Sequence, residues 1–129
     1  MKKYKILAVD DETDVLVIIK TALESEGYEV LTAANGFDAL AIAEDSIPDL
    51  ILLDLMMPEM SGFEVLENLK QSDKTMEIPI VILTGVSERL KMKEALDKGI
   101  IYYITKPFDY QLLLSKVKLA IEESHQGSE

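Results

Sequence analysis

Two periodicities alternate along the chain. Short, almost unbroken apolar runs suit strands of a parallel sheet covered on both faces, and between them apolar residues return every three or four positions, as on one helix face. The runs are Tyr4-Lys5-Ile6-Leu7-Ala8-Val9, Glu29-Val30-Leu31-Thr32-Ala33, Leu50-Ile51-Leu52-Leu53, Ile80-Val81-Ile82-Leu83 and Tyr102-Tyr103-Ile104-Thr105. Val15, Ile18, Ile19, Ala22 and Leu23 predict a first helix near residues 13–26, with Gly27 as its stop. Asn35 caps a second that carries Phe37, Leu40 and Ala43, and Pro48 separates it from the third run. Phe63, Leu66 and Leu69 mark a third helix after Gly62. Leu90, Ala95 and Leu96 mark a fourth before Gly99, and Leu113, Val117, Ala120 and Ile121 a fifth. Strand then helix, five times over, predicts an α/β domain with a parallel sheet, right-handed crossovers and helices on both faces. One domain over residues 1–123 is expected, followed by a frayed polar tail, Ser124-His125-Gln126-Gly127-Ser128-Glu129, in which His125 is given no role.

Four of the runs stop at residues able to do chemistry. Asp10-Asp11-Glu12 follows the first, Asp54 ends the third, Thr84-Gly85 ends the fourth and Lys106-Pro107 ends the last. In an open parallel sheet these stops share one edge, the edge where ligands bind, so three carboxylates, a hydroxyl and an ammonium are predicted to line one pocket. Clustered carboxylates suit Mg²⁺, a hard cation that takes oxygen ligands and bridges carboxylate to phosphate. With like charges offset, one carboxylate can attack phosphorus and become an aspartyl phosphate. Asp54 is the best nucleophile because its run is the most continuously apolar and hence central, while the adjacent Asp10 and Asp11 suit a shared metal. Taken singly, each residue has a plainer use. Asp10-Asp11-Glu12 could cap the first helix, Thr84 could be a strand-end hydroxyl, Lys106 a surface charge and Tyr103 a half-buried strand aromatic.

Composition narrows the field. At 129 residues, 48% hydrophobic and 29% charged, the chain is of ordinary single-domain size and can bury a full core. Thirteen basic against twenty-four acidic residues give a net charge of −11, which repels nucleic-acid phosphates and anionic membranes, so direct nucleic-acid binding and membrane association are not expected. There is no cysteine, Met1-Lys2-Lys3 leads into no signal-peptide apolar region, and no apolar run approaches spanning length, from which a cytoplasmic location is expected.

In their order and spacing, Val9-Asp10-Asp11-Glu12, Asp54-Leu55-Met56-Met57-Pro58 with Gly62, Thr84-Gly85 and Lys106-Pro107-Phe108 resemble the receiver domain of bacterial two-component response regulators, over essentially the whole chain. The resemblance implies a flavodoxin-like (βα)5 fold with strand order 2-1-3-4-5. It implies that Asp54 accepts a phosphoryl group from a sensor histidine kinase or phosphotransfer protein, and that Mg²⁺ is held by Asp10, Asp11, Asp54 and the Met56 backbone carbonyl. It further implies that Thr84 and Lys106 bind the phosphoryl group, that Thr84 and Tyr103 form the switch, and that the Lys106–Pro107 bond is cis. The expected output is a changed binding surface on the fourth helix, fifth strand and fifth helix, read by an effector domain or by a second copy of the chain. Such a protein is a phosphoacceptor that assists its own phosphotransfer and dephosphorylation, not a conventional enzyme.

Departures from the family pattern are few. Gly99-Ile100-Ile101 adds apolar load before Tyr102, expected either to feed a partner surface or to fill the core. Met56 and Val86, two positions beyond Asp54 and Thr84, are apolar and unable to orient an attacking water, so slow loss of the phosphoryl group is expected. A phosphohydrolase of the haloacid dehalogenase type would use similar residues, but its first-strand Asp-x-Asp-x-Thr motif is missing, since Glu12 stands where the second Asp belongs. A binding module that had lost the chemistry would not be expected to keep Asp10, Asp11, Asp54, Thr84 and Lys106 together.

Overall fold

Each apolar run becomes a strand. In the computed structural model, which describes residues 3–85 and 102–125 and the backbone alone of Thr84, the strands are β1 (Lys5–Val9), β2 (Glu29–Ala33), β3 (Leu50–Asp54), β4 (Ile80–Gly85) and β5 (Tyr102–Lys106). They form one parallel sheet in the order β2-β1-β3-β4-β5. β3 is central and all of it is buried, which is why its sequence lacks the alternation of a half-exposed strand. The register sets Leu7 beside Leu31 and Ile51, Leu53 beside Val9 and Ile82, and Asp54 beside Leu83.

Successive side chains of each strand feed opposite layers. Leu7, Val9, Ile51, Leu53, Ile80 and Ile82 pack against α2 (Gly36–Ser46) and α3 (Gly62–Gln71). Ile6, Ala8, Leu50, Leu52, Val81, Leu83 and Ile104 pack against α1 (Thr13–Glu24) and the C-terminal helix (Tyr110–Ser124). Each fully buried Leu or Ile stabilises the fold by roughly 1.5–3 kcal/mol, so the sheet is a rigid platform for whatever its edge carries.

Local sequence starts and stops the helices. The Asn35 side chain accepts the Asp38 N–H at 2.8 Å, Ser61 and Glu64 form a reciprocal capping box, and Asp109 accepts the Leu112 N–H at 2.7 Å. After α1, Gly27 turns the chain at φ 91°, in the left-handed region that glycine tolerates.

Three expectations change. The buried face of α1 is Leu16, Ile19 and Leu23, while Ile18 is exposed and Val15 is partly so. Residues 15–19 are all apolar, so periodicity along this helix is blurred and the sheet chooses the face. In α2, Phe37 stands in solvent and the small Gly36, Ala39 and Ala43 are buried, letting the helix approach its neighbours closely. A Cβ on Gly36 would lie 2.8 Å from the Met60 Sδ, so that sulfur rests directly on the glycine. Finally, Ser124 closes the C-terminal helix and His125 is not frayed. Its ring lies 5.4 Å from the Tyr4 ring, and Nε2 is 3.3 Å from the Asp49 carbonyl oxygen. The expected fourth helix, with Leu90, Ala95 and Leu96, lies outside the described residues, as do Val86, residues 99–101 and residues 126–129. No described helix is long and apolar enough to cross a membrane.

Candidate functional site

β3 carries Asp54 to the carboxyl edge of the sheet as its last residue. On one side β1 ends at Val9, directly before Asp10, and on the other Leu83 of β4 stands beside Asp54. Lys106 closes β5, and its Nζ lies 2.6 Å from Asp10 Oδ2, 3.5 Å from Asp54 Oδ2 and 3.9 Å from Glu12 Oε1. Residues from both ends of the sequence thus meet at one point, as parallel strands require.

Asp10 is wholly buried. Its Oδ1 accepts the Glu12 N–H at 2.9 Å and its Oδ2 takes the lysine ammonium. Asp54 is 4% exposed and its Oδ1 accepts the Met56 N–H at 3.2 Å, while Asp11 sits exposed at the rim. One oxygen from each of Asp10, Asp11 and Asp54 lies within 4.8 Å of the other two.

Crowding has an electrostatic consequence. Burial first, and then the charge of Asp10, push the Asp54 carboxyl up to about 7. Lys106 and the Met56 N–H pull the other way, and Asp11 adds a further push. For Lys106, burial alone would lower the ammonium, yet the hydrogen bond to Asp10 and the charges of Asp54, Asp10 and Glu12 hold it above its ordinary range. Among the described residues, the Lys106 ammonium lies within 4 Å of three carboxylates, those of Asp10, Asp54 and Glu12. Oxygen-only donors with an excess of negative charge fit a hard divalent cation such as Mg²⁺.

The loop from Leu55 to Ser61 is shaped by its exit into α3. A Cβ on Gly62 would sit 2.2 Å from the Asp54 carbonyl oxygen and 2.6 Å from Leu55 Cα, and the Gly62 N–H donates to the Leu55 carbonyl at 2.9 Å. Only glycine allows α3 to begin this close to the acceptor strand. Glu59 takes φ 66°, a left-handed conformation that costs a non-glycine residue roughly 1–2 kcal/mol.

Of the residues picked out in the sequence, Asp10, Asp11, Asp54 and Lys106 are brought together, and the Lys106–Pro107 bond is cis. The Thr84 backbone pairs with Thr105, one step beyond the Leu83–Asp54 pair; its side chain lies outside the described residues. Tyr103 is 48% exposed on β5 and pairs with Ile82. Tyr102 does not extend a free apolar surface. Its hydroxyl bonds the Glu123 carboxylate, and Lys116 Nζ lies 5.1 Å from its ring centre. Sequence reasoning missed two features. Glu12 is a further carboxylate near Lys106, for which adjacency to Asp10-Asp11 was the available signal. An apolar groove of about 620 Å³, lined by Val15, Ile18, Pro107, Phe108 and Tyr110, opens beside Lys106; it joins residues distant in sequence and had no local signal.

Residues 6–118 match the sequence profile of the response regulator receiver domain. The phosphate regulon transcriptional regulatory protein PhoB of Pseudomonas aeruginosa is 42% identical over 122 residues, which make up 95% of this chain and 53% of PhoB. The alkaline phosphatase synthesis transcriptional regulatory protein PhoP of Bacillus subtilis is 39% identical over 120 residues, 93% of this chain and 49% of PhoP. The chain spans about half the length of these curated relatives. Among solved structures, a CheY-like receiver domain protein of Methanospirillum hungatei superposes with a TM-score of 0.90 at 33% identity, covering 98% of this chain and 99% of that one. Chemotaxis protein CheY4 of Vibrio cholerae does so with a TM-score of 0.87 at 34% identity, covering 92% and 99%.

Proposed function

The chain belongs to the response regulator receiver domain family, and on that premise we propose that Asp54 is the residue that accepts the phosphoryl group from a histidine kinase or phosphotransfer protein. The observation that carries this is a carboxylate at the end of the central strand, almost fully buried, crowded by Asp10 and Asp11, and 3.5 Å from the Lys106 ammonium. An Asp54 oxygen forms the new bond to phosphorus as the bond from phosphorus to the donor nitrogen breaks, and the electron pair leaves with the imidazole. The Met56 N–H holds Oδ1 and so fixes the plane of the carboxylate. Lys106, already beside Oδ2, turns to the incoming phosphoryl oxygens, as does the hydroxyl of Thr84. Asp10, Asp11, Asp54 and the Met56 carbonyl would hold Mg²⁺, which when bound offsets the charge of carboxylate and phosphate. In this reading the domain assists chemistry done on itself, with the dephosphorylated donor as the leaving group.

The output follows from the same edge. Thr84 drawn toward the phosphoryl group vacates space for the half-exposed Tyr103, and the surface around β5 and the C-terminal helix changes for an effector domain or a second copy. Intact-mass analysis after incubation with acetyl phosphate and Mg²⁺ tests the acceptor. One phosphoryl group on the wild type and none on Asp54→Asn is expected, and equal labelling of both would overturn the assignment. Sedimentation of the same samples reads the output: association on phosphorylation is expected for the dimer form, and no change in mass or in the Tyr103 environment would remove it.

A further inference from the structure

Three methionines lie on the loop that leaves Asp54, and they differ in what surrounds them. Met57 is 8% exposed within the core, and Met60 is packed with its sulfur on Gly36. Met56 is 49% exposed. It is also the residue whose N–H holds Asp54 Oδ1 at 3.2 Å, so its side chain departs from the backbone unit that orients the acceptor. A thioether donates no hydrogen bond and accepts only weakly, whereas a sulfoxide oxygen is a strong acceptor.

The geometry points to Met56 as an oxidation site at which a peroxide changes the lifetime of the phosphoryl group on Asp54. This rests on Asp54 being the acceptor. One oxygen atom passes from the peroxide to the Met56 sulfur: the O–O bond breaks, an S–O bond forms, the sulfur is oxidised by two electrons, and hydrogen peroxide is reduced to water. The product replaces an apolar side chain beside the acceptor with one that can hold a water molecule toward phosphorus, and so speeds hydrolysis. Met57 is protected by burial, and Met60 is partly buried with its sulfur against Gly36. Met76 is exposed to a similar degree but lies in the segment leading into the opposite end of β4, where its oxidation leaves the acceptor untouched.

The test compares wild type and Met56→Leu, each oxidised with hydrogen peroxide or left untreated, then phosphorylated with acetyl phosphate, freed of donor, and followed for loss of the phosphoryl group. Each protein's untreated rate is its own reference, and peptide mass mapping locates the sulfoxides. Expected are sulfoxide at Met56 and Met76 but not at Met57 or Met60, and phosphoryl loss at least about threefold faster in oxidised wild type. Methionine sulfoxide reductase should reverse the gain, Met56→Leu should show a ratio near one, and Met56→Gln should lose the group faster than Met56→Leu without peroxide. Unoxidised Met56, or equal rate changes in wild type and Met56→Leu, would overturn this inference alone. Absence of labelling in the untreated wild type would overturn the acceptor reading and this inference with it.

Discussion

Two aspartates bracket β3, and they lead opposite lives. Asp49, just before the strand, accepts the Lys5 N–H on Oδ2 at 2.8 Å, donates its own N–H to the Lys5 carbonyl at 2.7 Å, and has its carbonyl 3.3 Å from His125 Nε2. Asp54, the last residue of the same strand, has one backbone donor and looks onto two other carboxylates and a lysine that lies closer to Asp10. The first end ties β1, β3 and the C-terminal helix together. At the second, ionisation of Asp54 works against the fold, and the same crowding makes the site receptive to a cation or a phosphoryl group. Residue type and strand are shared; the difference lies in whether neighbours supply N–H donors or further negative charge.

The sharpest way to break the second end is at Gly62. Alanine there would drive Cβ into the backbone of Asp54 and Leu55, neither of which can yield as a side-chain tip could. Urea unfolding of Gly62→Ala should show a loss of about 3 kcal/mol, with impaired phosphoryl acceptance. A loss below about 1 kcal/mol would mean that the loop is looser than the contact implies.

Removing each aspartate in turn sharpens the contrast. The folded Asp54 value of about 7 lies above the ordinary carboxylate value, so between roughly pH 4 and 7 the folded state binds the extra proton. Its contribution to stability is then greatest at the acid end and falls as pH rises through that window. In Mg²⁺-free buffer, Asp54→Asn should therefore be more stable than wild type at pH 8, by on the order of 1–2 kcal/mol once screening is allowed for, and the gain should shrink toward pH 4–5. Asp49→Ala should lose about 1–2 kcal/mol, because it leaves the Lys5 N–H without its carboxylate partner. Melting curves of the two variants that ran in parallel would erase the distinction.

A smaller effect is expected at the first end. Ile47 closes α2 at φ 44°, where a β-branched side chain is strained, and it is largely exposed. Ile47→Asn should raise stability by about 0.5–1 kcal/mol without altering phosphoryl acceptance. A decrease would show that Ile47 contributes more by packing than it loses in backbone strain.

The strands were legible because continuous apolar runs admit few other uses in a chain of this length, their order followed from the family resemblance, and four of the five runs stop at or just before a residue able to do chemistry. Leu113, Val117, Ala120 and Ile121 are all buried, as their spacing predicts, because polar residues interrupt that helix often enough to define its face. In α1 five consecutive apolar residues left the face undefined, and in α2 the bulk of Phe37 hid the fact that small residues were what the interface required. His125 was illegible for a different reason: its partners, Tyr4 and Asp49, are brought to it only by the closed sheet. The same holds for the placement of Lys106 against Asp10, which lie 2.6 Å apart in space but 96 residues apart in sequence. Side-chain charge state is less legible still, since burial of Asp54 and its distance from Asp10 are properties of the assembled edge.

The claim that this edge is electrostatically overloaded can be measured directly by a carbon-detected NMR titration of the side-chain carboxyl of Asp54, in protein freed of divalent cations and again with saturating Mg²⁺. The account predicts a midpoint near 7 without the cation, moving well down when Mg²⁺ is added. A midpoint near the ordinary value of about 4 in both conditions would contradict it.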